Sequence, residues 1–302
     1  MTKLISWLKA ARLRTLPLSV SGVVIGTALA NYYGTNNLLI FISALMTTIG
    51  FQVTSNFAND YGDGLKGTDG TNRIGPKRAL QSGMLSKKEL KMGIVISILM
   101  DILLVFVTIY LSFGLNNLFY PLVFLMLGGA SIWAAIKYTV GDKAYGYRGL
   151  GDIFVFVFFG LLGVLGTLFL FTKTLTFVAL LPACTIGFLS VGVLNLNNLR
   201  DYRSDKESGK NTLIVKMGFK WGRAYHLTLL IMAFASISVF SILCFSGWYQ
   251  FLYLIAFVPI AVHFRKIYLI QNADLIDPEL KKLAISTFFL AVLIYISCNN
   301  FL

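Results

Sequence analysis

Charge is the scarcest commodity in this chain of 302 residues. Only 13% of the residues are charged, and acidic residues number 13 against 26 Lys and Arg. Soluble domains carry about 25% charged residues, so a water-soluble globular protein is excluded. Histidine occurs twice, and cysteine three times, at Cys184, Cys244 and Cys298. The cysteines form no CxxC pair, which removes the usual zinc and disulfide frameworks; they are expected to be buried, inert thiols. His226 and His263 stand far apart in sequence at predicted helix edges, with no metal-ligand partner at helical spacing. Strands of alternating polarity are also missing, which excludes an outer-membrane barrel.

Apolar runs fill the space that charge leaves. Hydrophobic residues make up 57% of the chain, and the mean hydropathy is +0.75. A membrane-crossing helix needs about 20 apolar residues. Nine such segments are predicted, over residues 15–33, 38–59, 91–112, 118–138, 153–172, 176–198, 224–246, 249–264 and 283–301. The fold class is therefore all-α, a nine-helix transmembrane bundle expected to form a single domain over residues 1–302. The first apolar run continues to full spanning length without a small-residue cleavage site before it, so it is read as a retained helix and not as a signal peptide.

The basic residues are distributed on one side. With nine alternating helices, every Lys and Arg except Lys173 falls on the face that carries the N-terminus. By the positive-inside rule that face is cytoplasmic, which puts the N-terminus inside and the C-terminus outside. The net charge of +13 is thus expected to orient helices and meet anionic lipid, and nucleic acid is not an expected partner. The same face carries long polar loops, where a site would be held on a rigid scaffold.

The few carboxylates are concentrated there. NFANDYGDGLKGTD, from Asn56 to Asp69, closes the second helix; NLNNLRDYRSD closes the sixth. At about 100° per residue, Asn56, Asp60 and Asp63 share one helix face, as do Asn197, Asp201 and Asp205, with Asn198 one turn before Asp201. Carboxylates in one stripe repel, and the cost grows where water is excluded. Something cationic must hold them. Local ion pairs could do so. Hard oxygen donors without a His or Cys cluster suit magnesium better, since that ion takes one or two carboxylates and completes its shell with water and phosphate oxygens. Two facing stripes could hold two ions bridged by a diphosphate, and Arg73, Lys77, Arg78, Lys206 and Lys210 could neutralise its oxygens. The apolar helices would receive a hydrocarbon attached to that diphosphate.

These residues resemble a known family. NDYGD, followed by DxxxD at the end of a later helix, is similar to the UbiA-type intramembrane prenyltransferases. The blocks ARLRTLPLSVSGVVIGTALA, NDYGDGLKGTDGTNRIGPKRALQSG, YGYRGLGDIFVFVFFGLLGVLGT and NNLRDYRSDKESGKNTLIVKMG resemble the branch of that family acting on 1,4-dihydroxy-2-naphthoate in menaquinone biosynthesis. The resemblance runs from the first helix to the loop after the sixth; the last three helices are generic.

The resemblance implies magnesium, two ions, at Asp60, Asp63, Asp201 and Asp205, and an allylic polyprenyl diphosphate as donor. The naphthoate ring would attack the allylic carbon through the carbon bearing its carboxylate, and loss of carbon dioxide and a proton, then oxidation, would leave demethylmenaquinone. The implied location is the inner membrane, with the site facing the cytoplasm. The first motif departs from the common form, since Gly64 stands four residues beyond Asp60 and either Asp63 or Asp69 completes the shell. Further site residues expected on this basis are Tyr147 as a cation-stabilising ring, and Arg14, Arg78, Lys143, Tyr145 and Arg148 toward diphosphate or carboxylate, with Asn56, Asn198 and Lys210 beside them. Another acceptor, 4-hydroxybenzoate or haem, is the alternative within the fold. A cation-coupled secondary transporter is the alternative outside it, although its coupling groups would be expected near the bilayer midplane. Asp101, alone in the middle of the third helix, is expected to be hydrogen-bonded and structural.

Overall fold

The structure is a computed structural model, and it describes residues 3–67, 75, 78–115 and 118–299. Asp69, Arg73 and Lys77 lie outside the described residues. Among the described residues there are nine helices long and apolar enough to cross a membrane and no strand.

A short helix α1, Lys3–Ala11, precedes the first long helix α2, Leu16–Tyr32. The others are α3 Leu38–Lys66, α4 Lys87–Phe113, α5 Phe119–Lys137, α6 Gly151–Thr172, α7 Leu180–Arg200, α10 Phe219–Cys244, α11 Tyr253–Leu269 and α12 Asp277–Asn299. Two short polar helices, α8 Tyr202–Glu207 and α9 Leu213–Met217, fill the connection between α7 and α10. The predicted spans agree in number and order. The difference lies at their ends, because polar first and last turns continue beyond the apolar segment: α3 runs on through the first acidic motif, and α12 begins six residues before the predicted start.

Local chemistry accounts for the ends. Asn37 accepts hydrogen bonds from the amides of Leu39 and Ile40 and starts α3. Ser86 and Glu89 form a reciprocal capping box at the start of α4. Gly67, with φ of 68°, ends α3 in the left-handed conformation.

Small residues set the helix spacing. A Cβ on Gly22 would lie 2.8 Å from the Phe159 carbonyl oxygen, and one on Gly160 would lie 2.6 Å from Gly187 Cα. Helices α2, α6 and α7 therefore touch backbone to backbone, and α6 is π-helical over Phe156–Gly166. Helix α12 packs on α2 and α7, and α7 packs on α10. Together they bury the main apolar cluster, around Ile25, Ile186, Leu196, Ile237, Leu283 and Ile294.

Three polar groups inside the bundle are paired. Asp101 is fully buried and accepts from Thr54 Oγ1 at 2.6 Å, in keeping with a hydrogen-bonded structural role. The two histidines, distant in sequence, meet in space: His226 Nε2 is 2.9 Å from His263 Nε2, and His263 Nδ1 is 2.8 Å from Glu279 Oε2. Glu279 also receives Lys266 and Lys282 at 2.7 and 2.8 Å, which ties α11 to the first turn of α12. The three cysteines are free thiols, Cys298 buried and the other two partly so.

Candidate active site

Both acidic motifs sit at helix ends on the same side of the bundle. Helix α3 is unbroken through Asn56, Asp60 and Asp63. The second motif spans a joint. Helix α7 ends at Arg200, Asp201 is the cap residue, and α8 follows with Asp205 in its first turn. The Asp201 amide still donates to the Asn197 carbonyl at 3.0 Å, and the Asp205 amide to the Asp201 carbonyl at 2.8 Å. Helical hydrogen bonding therefore crosses the joint, and the two carboxylates stay one turn apart.

All four carboxylates are 5% exposed or less, and each is held differently. Asp63 forms a salt bridge with Arg78, accepts from the Tyr147 hydroxyl at 2.6 Å, and lies 4.0 Å from Lys210 Nζ. The same ammonium is 3.8 Å from Asp205 Oδ1. Lys210 thus joins the first motif to the second. Asp60 Oδ2 accepts from the Ala79 amide at 2.9 Å, holding the returning loop, while Asp60 Oδ1 is buried with no hydrogen-bond partner among the described residues. Asp201 is gripped edge-on by Arg200: Nε to Oδ1 and Nη2 to Oδ2, both 2.8 Å.

A chamber of about 510 Å³ opens beside this cluster. Asp63, Arg78, Lys210 and Asn197 line its charged end, with Arg14 and Asp277 nearby. Deeper, the lining is apolar and aromatic, with Tyr138, Tyr145, Phe154, Phe158, Leu162 and Leu170. The Tyr145 ring stacks on Phe154 with centroids 3.8 Å apart, and its hydroxyl donates to the Ala134 carbonyl at 2.8 Å. Burial, and then the charge of Asp63, push the Tyr138 phenol above its usual range; burial does the same for Tyr145. Both rings remain neutral at physiological pH, and both belong to the chamber lining.

The expected site residues fall into three groups. Asp63, Arg78, Lys210, Tyr145 and Arg14 line the chamber, and Tyr147 touches it through Asp63. The face of Tyr147 is occupied by Lys66, 3.8 Å from the ring centroid, so the aromatic wall belongs to Tyr138 and Tyr145. Asn56 and Asn198 stand behind the chamber wall. Asn56 donates to the Ala11 carbonyl at 2.8 Å and ties α1 to α3; Asn197, not Asn198, faces the chamber. Lys143, Arg148 and Lys206 are exposed and away from it.

Three residues escaped the sequence reading, one of them Tyr138 at the end of α5. Arg200 is an ordinary orienting charge by position alone, and Asp277 opens a helix in the generic last third. The one available signal was the placement of Arg200 directly before Asp201.

Could magnesium be held here? Among the described residues no three acidic, His or Cys side chains converge into a preformed cage. Magnesium seldom uses one; it binds through one or two carboxylates and substrate phosphates. The oxygen-only donor set, the unpartnered Asp60 Oδ1 and the cation already drawn between Asp63 and Asp205 all fit such an ion.

The chain is similar to known proteins in sequence and in fold. The chain is 42% identical over 96% of its length to a 1,4-dihydroxy-2-naphthoate octaprenyltransferase of Haemophilus influenzae, covering 94% of that protein. It is 42% identical over 83% of its length to the Escherichia coli protein of the same name, covering 81% of it. In fold it is similar to a UbiA homolog from Aeropyrum pernix, with a TM-score of 0.69 at 15% identity over 95% of this chain and 97% of that one. It is also similar to a UbiA homolog from Archaeoglobus fulgidus bound to DMAPP and Mg2+, with a TM-score of 0.64 at 13% identity over 98% and 100%. The model of the UbiA prenyltransferase family matches residues 19–293, and with the acidic helix ends and the chamber between them, this places the chain in that family.

Proposed function

We propose that this multi-pass membrane protein transfers a polyprenyl group from a polyprenyl diphosphate to 1,4-dihydroxy-2-naphthoate, with decarboxylation, in menaquinone biosynthesis. The observation that carries the acceptor is the 42% identity across nearly the whole chain to a protein of that activity. The whole chain acts as one transmembrane domain. Its basic face is taken as cytoplasmic, which puts the N-terminus and the site on the inner side of the cytoplasmic membrane, the inner membrane where there are two.

Asp60, Asp63, Asp201 and Asp205 are the residues that would hold magnesium, as two ions. Bound magnesium supplies charge neutralisation for a departing diphosphate. Arg78 and Lys210 bind the diphosphate oxygens from the chamber's charged end, taking over from the carboxylates as the substrate enters. Tyr147 keeps Asp63 in one rotamer. The C1–oxygen bond of the donor breaks, and its electron pair leaves with the diphosphate. Positive charge that develops on the allylic carbons lies in the aromatic part of the chamber, lined by Tyr138, Tyr145, Phe154 and Phe158, and neutral rings of this kind stabilise it. The apolar wall excludes water, which would otherwise intercept the allylic carbon. The ring carbon bearing the carboxylate forms the new bond to C1. The bond to the carboxylate then breaks, carbon dioxide leaves, and its electron pair restores the aromatic ring. The immediate product is the quinol, and later oxidation gives demethylmenaquinone.

The test uses purified protein in lipid with magnesium, a polyprenyl diphosphate, and dihydroxynaphthoate or 4-hydroxybenzoate in parallel. Prenylated naphthol and carbon dioxide are expected from the first acceptor alone. Asp60→Asn and Asp201→Asn should each lower the rate at least about 100-fold. Product from the benzoate would overturn the acceptor, and magnesium-independent turnover would overturn the metal.

A further inference from the structure

The last helix enters the site through a charge chain that the acidic motifs do not include. Arg200 is 1% exposed, and its guanidinium makes four hydrogen bonds. One edge grips Asp201, Nη2 also donates to Asn197 Oδ1 at 2.7 Å, and Nη1 donates to Asp277 Oδ1 at 2.6 Å. Gly75 lies against the same group: a Cβ there would be 2.8 Å from Arg200 Nη2. Asp277 stands at the first position of α12, where Glu279 anchors the helix to His263 and Lys266 of α11. The register of α12 is therefore set by a buried contact two residues away from Asp277.

The electrostatics give this arrangement a purpose. A guanidinium lying along one edge of Asp201 fixes the direction of the carboxylate. It also cancels the carboxylate's charge, which opposes any divalent ion approaching the other edge. Asp277 corrects this. Among the described residues, Asp201 and Arg200 alone sum to zero, and Asp277 brings the sum to −1. Arg200 and Asp201 are buried and Asp277 reaches them from a partly exposed position, so its charge is felt with the intermediate screening of a site near the protein surface.

We propose that Arg200 and Asp277 are positioning residues for the second metal-binding motif, Arg200 aiming the Asp201 carboxylate and Asp277 restoring the negative charge that Arg200 removes. The inference rests on the reading of Asp201 as a magnesium ligand. Outer partners of metal ligands commonly contribute 10- to 100-fold in affinity or activity, which sets the expected size. The two residues play separable parts. Asp277→Asn keeps a hydrogen-bond acceptor and loses the charge. Arg200→Lys keeps the charge and loses the two-pronged grip.

The test is Mn2+ binding to the full-length protein in detergent, followed by electron paramagnetic resonance, alongside the Mg2+ dependence of turnover. Asp277→Asn should weaken Mn2+ binding about tenfold and raise the half-saturating Mg2+ by a similar factor, with the rate at saturating Mg2+ kept within about twofold. Asp277→Glu should restore both. Arg200→Lys should lower the rate even at saturating Mg2+, because the carboxylate is no longer aimed. Asp277→Asn with wild-type Mn2+ binding overturns the proposal, including the case in which it only lowers the unfolding temperature. Asp201→Asn with wild-type Mn2+ binding overturns instead the metal assignment beneath it. The Asp277 carboxylate is 37% exposed and its substitution leaves no buried void, so this arm decides the matter even if Arg200→Lys fails to fold.

Discussion

Lys210 places its ammonium 4.0 Å from the carboxylate of Asp63. Asp63 belongs to the first acidic motif and Lys210 follows the second, and this contact, with the 3.8 Å contact to Asp205, is what closes one motif upon the other. A buried cationic side chain holds ground that a substrate-bound metal and diphosphate would claim.

Lys210→Ala is therefore expected to act mainly on the donor. Charge-assisted hydrogen bonds are worth about 1.5–3 kcal/mol, so KM for the polyprenyl diphosphate should rise roughly 10- to 100-fold. KM for the naphthoate should stay near wild type. Steady-state kinetics with each substrate varied in turn measures both, and equal rises in the two KM values would contradict the assignment.

Tyr147 acts through Asp63, with its hydroxyl 2.6 Å from Oδ1. Tyr147→Phe removes that hydrogen bond and leaves the ring to Lys66. The rate should fall about tenfold, in the range for partners of metal ligands, with stability changed by no more than about 1.5 kcal/mol. A rate within twofold of wild type would remove Tyr147 from the site.

Gly160 is a test of the backbone-to-backbone contact between α6 and α7. A Cβ would meet Gly187 Cα at 2.6 Å, and neither backbone can yield locally. Gly160→Ala should destabilise the bundle by about 1–3 kcal/mol, seen as a lower midpoint in thermal unfolding in detergent. An unchanged midpoint would mean that the helices separate at little cost.

Glu279 is fully buried and is held by His263, Lys266 and Lys282. Glu279→Ala leaves the buried His263 imidazole without its carboxylate partner while the exposed Lys266 and Lys282 ammonium groups turn to water, and leaving a buried polar group unsatisfied costs about 1–3 kcal/mol. The variant should unfold earlier, with α11 and α12 losing hydrogen-exchange protection first. Uniform loss across all helices would show that this contact does not act locally.

Much of the fold was legible before any coordinates. Helix number and order follow from apolar length, because a bilayer forces each apolar run into a helix that satisfies its own backbone. The grouping of Asp60, Asp63, Asp201 and Asp205 at helix ends on one side was visible from local spacing and the one-sided placement of charge.

Contacts between distant segments were beyond that reading. His226 and His263 look isolated in the chain and touch in the structure. Asn56 and Asn198 carry the right amide chemistry yet face neighbouring backbone or the wall interior, while Asn197 faces the chamber. Arg200 and Asp277 are separated by two whole membrane crossings before they meet. The sequence by itself determined which groups are scarce, which helices form and at which ends the carboxylates cluster, because those follow from periodicity and desolvation along a single helix. Only the tertiary structure decided which cation holds which carboxylate, since the choice of partner is set by the packing of helices across the bundle, and that packing places α12, the last helix of the chain, against the second motif.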